Sequence, residues 1–532
     1  MHQNSYYYAT NDNISIATNS SLLSKGILLN SEIEFIKLIQ ESGDTIAVEM
    51  FNDLKMRHLQ INKLIEKPIA ERFANVDSLE TEAQKVEKAL IDRSKAYGDY
   101  TKNLVITWEQ VQEKLTKNDI AVEFVSFPLN ADSTMYVAYT IRKDWDNPRM
   151  TVLFEEKQLL SVSDKFGTDS ISKLVWQPLD EQLEDVQNVY FSPGGELYNI
   201  AIESIPTHID GGKMLVSEHN RRYYRLSSTR ELALIKDEIR WNEAAVYGGL
   251  QYNLDVDEMI QEDKKYDRRS DVRRGDSTPQ YYIVREDTTT RDDRGTIQGL
   301  AYLEGTKAEA EAIKQDLDSK SVAAQLFTDK IGTETSFKDL SGRRKSIVHI
   351  ATHGFFNDRK KEYTGDNFLS LLDRQPTVIE DDAMTRSGLY FAGADNVRKH
   401  VAIPDSIDDG KLTAMEIAQL DLRGLDLVVL SACQTGLGEI TGDGVFGLQR
   451  GFKKAGAQTI VMSLWKVDDN ATQLFMTQFF KRIRLDANGR PTNKYEAFSE
   501  AQSYVRNYTA DDGSHPFAKP EYWAAFIMLD GI

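Results

Sequence analysis

Cys433 is the one cysteine of this 532-residue chain and ends the run Leu427-Val428-Val429-Leu430-Ser431-Ala432-Cys433-Gln434-Thr435-Gly436. A lone thiol forms no internal disulfide and no zinc knuckle, which leaves packing as a small hydrophobe or chemistry. Aliphatic residues running into small residues and a glycine are the pattern of a buried strand feeding a tight turn. The C-terminal end of such a strand is where open α/β sheets present reactive groups. A second segment, Ser346-Ile347-Val348-His349-Ile350-Ala351-Thr352-His353-Gly354-Phe355-Phe356, has the same shape and puts His353 at a strand end, 80 residues before Cys433. Two strand ends of one parallel sheet bring an imidazole and a thiol within reach of each other. The thiolate is the nucleophile, and an ordinary thiol pKa of about 8.5 leaves little of it at neutral pH, so a neighbouring base is what such a cysteine needs. Gly354 lets a substrate approach the backbone closely and offers an N–H to an oxyanion.

His349 and His353 also stand four apart, the spacing of two metal ligands on one helix face. The Ile-Val-His-Ile run reads as a strand instead, where four residues span about 13 Å. The expectation is therefore a core histidine at position 349 and no metal.

Together, His-Ile-Ala-Thr-His-Gly-Phe-Phe and Leu-Ser-Ala-Cys-Gln-Thr-Gly-Leu-Gly resemble the CHAT family. These are caspase-like domains usually found behind tetratricopeptide repeats, relatives of separase within the caspase-fold cysteine proteases. The resemblance continues through Gly442-Asp443-Gly444-Val445-Phe446-Gly447-Leu448, Gly456-Ala457, residues 461–469 and Tyr522-Trp523-Ala524-Ala525-Phe526, with weaker echoes at 190–197 and 21–29. It implies an α/β fold: a caspase-like doubly wound, mostly parallel sheet covered by helices. It also implies an endopeptidase with a His–Cys dyad, carried over to His353 and Cys433, that needs no metal and no organic cofactor. The oxyanion would be held by the backbone N–H groups of Gly354 and Cys433. Position 431 is Ser rather than the acid of the metacaspase branch, so that branch's acidic S1 pocket is not supported there.

Residues after the cysteine strand and the following strand usually shape S1 in this fold, and here they offer Glu439, Asp443, Trp465, Asp468 and Asp469. An acidic pocket would select Arg or Lys at P1, whereas Trp465 would suit a medium apolar P1. Asp468 and Asp469 also read as helix-cap residues, and Asp443, between glycines, as a turn residue. The few residues between Cys433 and the next expected helix are too few for the cleavable linker of executioner caspases. Control by an upstream sensor, a tetratricopeptide-repeat region or another activating partner is the corresponding expectation, and the resemblance suggests a bacterial defence or cell-death setting. The contrasting class is a catalytically silent caspase-like scaffold. Retention of His353 and Cys433, with glycine after the one and Gln-Thr-Gly after the other, favours the enzyme.

The elements that must position these residues follow from periodicity. In the unit 241–532 helices alternate with strands: a helix at 306–317, a strand at 322–327, a helix near 333–340, then the His353 strand. Thr413-Ala414-Met415-Glu416 reads as a capping box ahead of the Cys433 strand. A helix at 444–455, a strand at 459–464, a helix at 471–484 capped by Asp468-Asp469-Asn470, and a last strand at 523–529 complete the pattern, which is that of a parallel, helix-covered sheet. Residues 262–295 form a charged inserted loop with double-basic steps, and the stretch 354–411 lacks alternation, which suits a cleft wall or activation flap. Residues 118–240 show strands at 120–125, 135–140 and 150–154. This unit holds His208 and His219 but no cysteine, so it is expected to be a degenerate, non-catalytic caspase-like unit. Residues 1–117 read as a helical adaptor segment, with a capping box at Ser31–Glu34 and apolar stripes over 47–65 and 79–97.

Net charge is −19, from 83 acids against 64 bases. That balance disfavours an extended nucleic-acid surface. No apolar run approaches the roughly 18–20 residues of a membrane span, and the N-terminus lacks the basic and apolar regions of a secretory signal. A single cysteine fits a reducing cytosol.

Overall fold

Strands as uniformly apolar as 347–351 and 427–431 must be covered on both faces, and the architecture follows from that requirement. The computed structural model describes residues 1–25, 35, 38–39, 42–65, 76–94, 105–209, 212–234, 236–266, 281–282, 299–356, 383–399, 401–404, 406–432, 439–441 and 444–532. Eleven strands form one sheet. In chain order they are β1 (Asp119–Asn130), β2 (Ser133–Arg142), β3 (Arg149–Glu155), β4 (Asn188–Ser192), β5 (Arg222–Arg225), β6 (Glu243–Leu250), β7 (Ala323–Asp329), β8 (Ile347–Ala351), β9 (Leu427–Ser431), β10 (Thr459–Ser463) and β11 (Phe526–Leu529). Their order across the sheet is β7-β6-β8-β9-β10-β11-β5-β4-β1-β2-β3. Neighbours from β7 to β10 are all parallel. The last strand, β11, enters antiparallel to β10. The sheet then continues parallel through β5, β4 and β1 and ends in the antiparallel meander β1-β2-β3.

One face of the C-terminal half packs against the helices Glu334–Lys338, Ala414–Ala418 and Leu448–Ala455, through Val348, Ile350, Phe337, Ile417 and Phe452. The other packs against Glu304–Ser319, Asp469–Arg482 and Lys494–Arg506, through Ile347, Val429, Ile313, Phe475 and Ala501. Thr413 and Glu416 form the predicted capping box. The Asp468 carboxylate accepts from the amides of Asn470 and Ala471, which fixes the start of the helix after β10. The expected helix at 444–455 begins later, at Leu448. Glu439–Thr441 and Gly444–Phe446 pair as short antiparallel strands ahead of it. Residues 354–411 also hold more structure than periodicity suggested. Gly354–Phe356, Ser387–Tyr390 and Lys411–Thr413 form a three-stranded sheet, its strands too short to show a period. Of the charged loop, residues 267–280 and 283–298 lie outside the described residues. Tyr281–Tyr282 pairs with Ile403–Pro404.

The two halves of the sheet meet between β11 and β5, where Leu529 alone pairs with Arg225. Asp530 fastens this seam. Its N–H donates to the Arg225 carbonyl at 3.0 Å, and its carboxylate accepts from the Ser227 amide at 2.8 Å and faces Lys453 Nζ at 2.6 Å. On the N-terminal side, helix Asn11–Ser24 lays Ile14 and Ala17 on Val125, Val137 and Tyr139. Helices Thr45–Ile65 and Val76–Ser94 form a hairpin whose apolar cluster, Ala47, Leu54, Ile61, Ala83 and Leu90 among it, draws only on residues 35–90. The capping box expected at Ser31–Glu34 lies outside the described residues. No helix among the described residues is long and apolar enough to cross a membrane.

Candidate active site

Strands β8 and β9 run parallel in a register that sets Ala351 opposite Ser431. His353 and Cys433 each stand two residues beyond that pair in the sequence. Cys433 and Asp443 lie outside the described residues, and so do the side chains of the strand Glu439–Thr441. Up to the residue before the thiol the chain is well anchored. Ala432 is buried, and its carbonyl accepts from Ser463 Oγ at the end of β10 at 3.0 Å. Ser431 is buried within β9.

His353 is half-buried at the edge of the sheet. Its Nε2 lies 2.7 Å from the Ala301 carbonyl oxygen. A carbonyl only accepts, so Nε2 carries the proton of the neutral ring and Nδ1 is left as the basic nitrogen. The aromatic ring of Tyr252 packs beside the imidazole, with centroids 5.1 Å apart and planes at 51°. The Tyr252 hydroxyl lies 2.9 Å from Thr352 Oγ1. Thr352 Oγ1 donates to the Tyr390 carbonyl at 2.5 Å, so it accepts from the tyrosine. The His353 backbone in turn hydrogen-bonds the Tyr252 oxygen, and the Tyr390 amide donates to the His353 carbonyl at 2.9 Å. Ring, tautomer and backbone are thus each held by a different neighbour. Burial pushes the Tyr252 hydroxyl up to about 12, so it stays protonated.

Electrostatics keep the imidazole neutral. Burial lowers the His353 pKa from the ordinary histidine value. The Ala301 bond and the Asp469 charge pull it back up, while Arg398 and Lys466 push it further down. A neutral ring with a free Nδ1 is the form a general base requires. Asp469 therefore shares the surroundings of His353, as an exposed residue in the first turn of its helix. Trp465 donates from Nε1 to the Glu521 carbonyl at 3.0 Å and packs on Phe166 at 5.7 Å. Gly354 opens the strand Gly354–Phe356, in register with Leu389.

His349 is a core residue. It is fully buried on the opposite face of β8 from Val348 and Ile350, with Nε2 2.8 Å from Glu309 Oε1 and its ring edge-on to Phe480. No group of three or more His, Cys, Asp or Glu among the described residues is placed to hold a metal. Sequence reasoning missed Tyr252, Thr352 and the Ala301 carbonyl. Tyr252 follows the Gly-Gly end of β6 and Thr352 precedes the histidine, so both were visible as neighbours of strand ends. A backbone carbonyl carries no sequence signal at all.

The CHAT domain family model matches residues 168–531. Tetratricopeptide repeat protein 28 of Homo sapiens is 28% identical over 194 residues, 34% of this chain and 7% of that protein. Its Mus musculus counterpart is 34% identical over 119 residues, 22% of this chain and 4% of that protein. The chain thus spans less than a tenth of the length of the curated relatives it matches. Among solved structures, the Saccharomyces cerevisiae separase–securin complex aligns with a TM-score of 0.38 at 10% identity, covering 91% of this chain and 36% of that one. The Arg-specific cysteine proteinase gingipain R aligns with a TM-score of 0.34 at 11% identity, covering 68% and 67%. At such TM-scores these likenesses carry no argument about chemistry.

Proposed function

The chain belongs to the CHAT domain family, and from that premise we propose that it is a cysteine endopeptidase whose dyad is His353 and Cys433. The observation that carries the reading is the register of β8 and β9, Ala351 opposite Ser431, with the imidazole and the thiol each two positions further along the sequence. The neutral, Nε2-protonated state of His353 supports it.

In the proposed cycle Nδ1 takes the Cys433 proton and the thiolate sulfur attacks the scissile carbonyl carbon. The oxyanion of the tetrahedral adduct lies against the Gly354 and Cys433 amides, donors worth about 3–4 kcal/mol each in measured oxyanion holes. The adduct collapses to a thioester as Nδ1–H protonates the departing amine. Water, deprotonated by Nδ1, then attacks the thioester, releasing the carboxylic acid and restoring the thiol. The Ala301 carbonyl stabilises the imidazolium that forms twice in this sequence. A reducing compartment such as the cytosol would keep Cys433 a thiol.

Of the S1 candidates, Asp469 and Trp465 remain the described ones without a structural duty at a helix start. Asp468 already caps its helix. The repeat-bearing names of the relatives support a tetratricopeptide-repeat partner or an upstream region as the controlling element. Incubating the protein with a proteome-derived peptide library and sequencing the products by mass spectrometry tests the reading. New termini should appear with the wild-type chain and be absent with Cys433→Ala. Products that persist in Cys433→Ala would refute it.

A further inference from the structure

Arg398 ends the short helix Asp395–Arg398 that follows the wall strand Ser387–Tyr390. Its guanidinium sits over the Tyr390 ring at 5.7 Å. That ring packs at 4.9 Å on Phe355, the second residue after His353, and the Tyr390 amide holds the His353 carbonyl. The wall is tight. A side-chain carbon at Gly388 would fall 2.3 Å from the Leu412 carbonyl and 2.6 Å from the Phe355 ring. The same helix is also tied to the segment that holds the imidazole, because Asp395 accepts from the Leu300 amide at 2.7 Å, next to the Ala301 carbonyl that binds Nε2.

No carboxylate among the described residues pairs with the Arg398 guanidinium, in a chain with 83 acids to 64 bases. The acid on its own helix, Asp395, is committed to Lys399 and to the Leu300 amide. The Arg398 Nε is buried without an acceptor, although the side chain as a whole is part-exposed. A half-buried guanidinium whose Nε has no partner among the described residues suits a carboxylate. Lys466 adds a second, exposed cation near the same histidine.

We propose that Arg398 is a specificity-determining residue that receives the carboxylate of an Asp or Glu side chain of the peptide substrate beside the scissile bond. The inference rests on the protease reading above, and it favours acidic substrates over the basic P1 residue that the acidic S1 candidates would select.

The test is the peptide-library digest run with wild type, Arg398→Gln and Arg398→Glu, with Cys433 labelling by a neutral peptidyl acyloxymethyl ketone measured in parallel. Wild type should enrich Asp or Glu within a few residues of the cleaved bond, Arg398→Gln should lose that enrichment, and Arg398→Glu should turn towards Lys or Arg. For one matched pair, replacing the preferred Asp by Asn should lower kcat/KM roughly 10- to 100-fold in wild type and leave Arg398→Gln indifferent, as expected for one charge-assisted contact. Cys433 that is still labelled by the neutral probe in both variants, at whatever rate, shows an intact site and separates lost specificity from lost folding. Digests without acidic enrichment, or with the same enrichment in Arg398→Gln, overturn the assignment while the dyad stands. Absent cleavage together with an unlabelled Cys433 would overturn the protease reading, and this inference with it.

Discussion

The two halves of the sheet end their parallel strands differently. In the C-terminal half, β8 runs out into a half-buried imidazole with one ring nitrogen tied down and the other free. In the N-terminal half, a buried ammonium sits where the pairing of β1 with β4 stops, at Glu123 and Ser192. Lys25 Nζ donates to the carbonyls of Phe124 at 2.8 Å and Pro193 at 2.7 Å and to Ser192 Oγ at 2.8 Å. The Glu123 carboxylate lies 3.6 Å away and accepts in turn from Ser228 Oγ and the Thr229 amide. The turn that follows is closed as well. A side-chain carbon at Gly194 would fall 2.3 Å from the Phe124 carbonyl, and Gly195 holds φ at +55°, a conformation suited to glycine. The position that one half leaves open for chemistry, the other fills with a charge that satisfies carbonyls. The C-terminal end of a parallel strand is therefore a place for function or for structure according to what the chain puts there.

Removing each group should separate the two ends, and the largest effect belongs to the open one. Cys433→Ala or His353→Ala should lower peptide cleavage by about 10³-fold or more while leaving the urea midpoint unchanged. An equal loss of stability would make His353 structural. Lys25→Met should do the reverse. It leaves Glu123 buried without its cation and removes the ammonium from the carbonyls and hydroxyl it serves, a cost of about 2–4 kcal/mol read as a lower urea midpoint.

Lys25 should also show in the pH dependence of folding. Burial lowers its pKa to about 8 from the ordinary lysine value of 10.5, partly offset by Glu123. Folding thus disfavours the charged form. The penalty is full below pH 8 and fades as pH rises from 8 to 10.5. Wild type should therefore gain stability relative to Lys25→Met across that window. A flat difference would mean that Lys25 stays charged throughout.

Smaller effects lie around the imidazole. Tyr252→Phe keeps the ring against His353 but drops the hydroxyl that joins Thr352 and the His353 backbone. A fall in kcat of about 3- to 10-fold at unchanged KM is expected, with a larger loss for Tyr252→Ala. The His353 imidazole, observed by NMR in Cys433→Ala, should titrate below the ordinary histidine value of about 6.5 because burial outweighs the Ala301 bond.

The chain spelled out its open end better than its closed one. Aliphatic runs ending before His353-Gly354 and Cys433 announce the strands β8 and β9 by local pattern alone, and the capping box at Thr413 and the cap at Asp468 are equally local. Lys25 lies 98 positions from Glu123 in sequence, and nothing near it signals that a helix end plugs a distant sheet edge. The antiparallel entry of β11 escaped for a related reason, since an apolar strand buried on both faces does not announce its direction. Three-residue strands, as in the wall beside His353, are too short for any period. The strand Gly444–Phe446 was taken into the following helix because three residues are too few to show a strand period. Backbone partners such as the Ala301 carbonyl are invisible in principle.

The most direct test of the account is the rate at which a peptidyl acyloxymethyl ketone labels Cys433, followed by mass spectrometry of the intact chain, in wild type and in His353→Ala. An activated dyad predicts labelling at Cys433 that falls by about two orders of magnitude or more when the imidazole is removed. Equal labelling in the two proteins would mean that His353 does not act on the thiol, and the dyad would have to be abandoned.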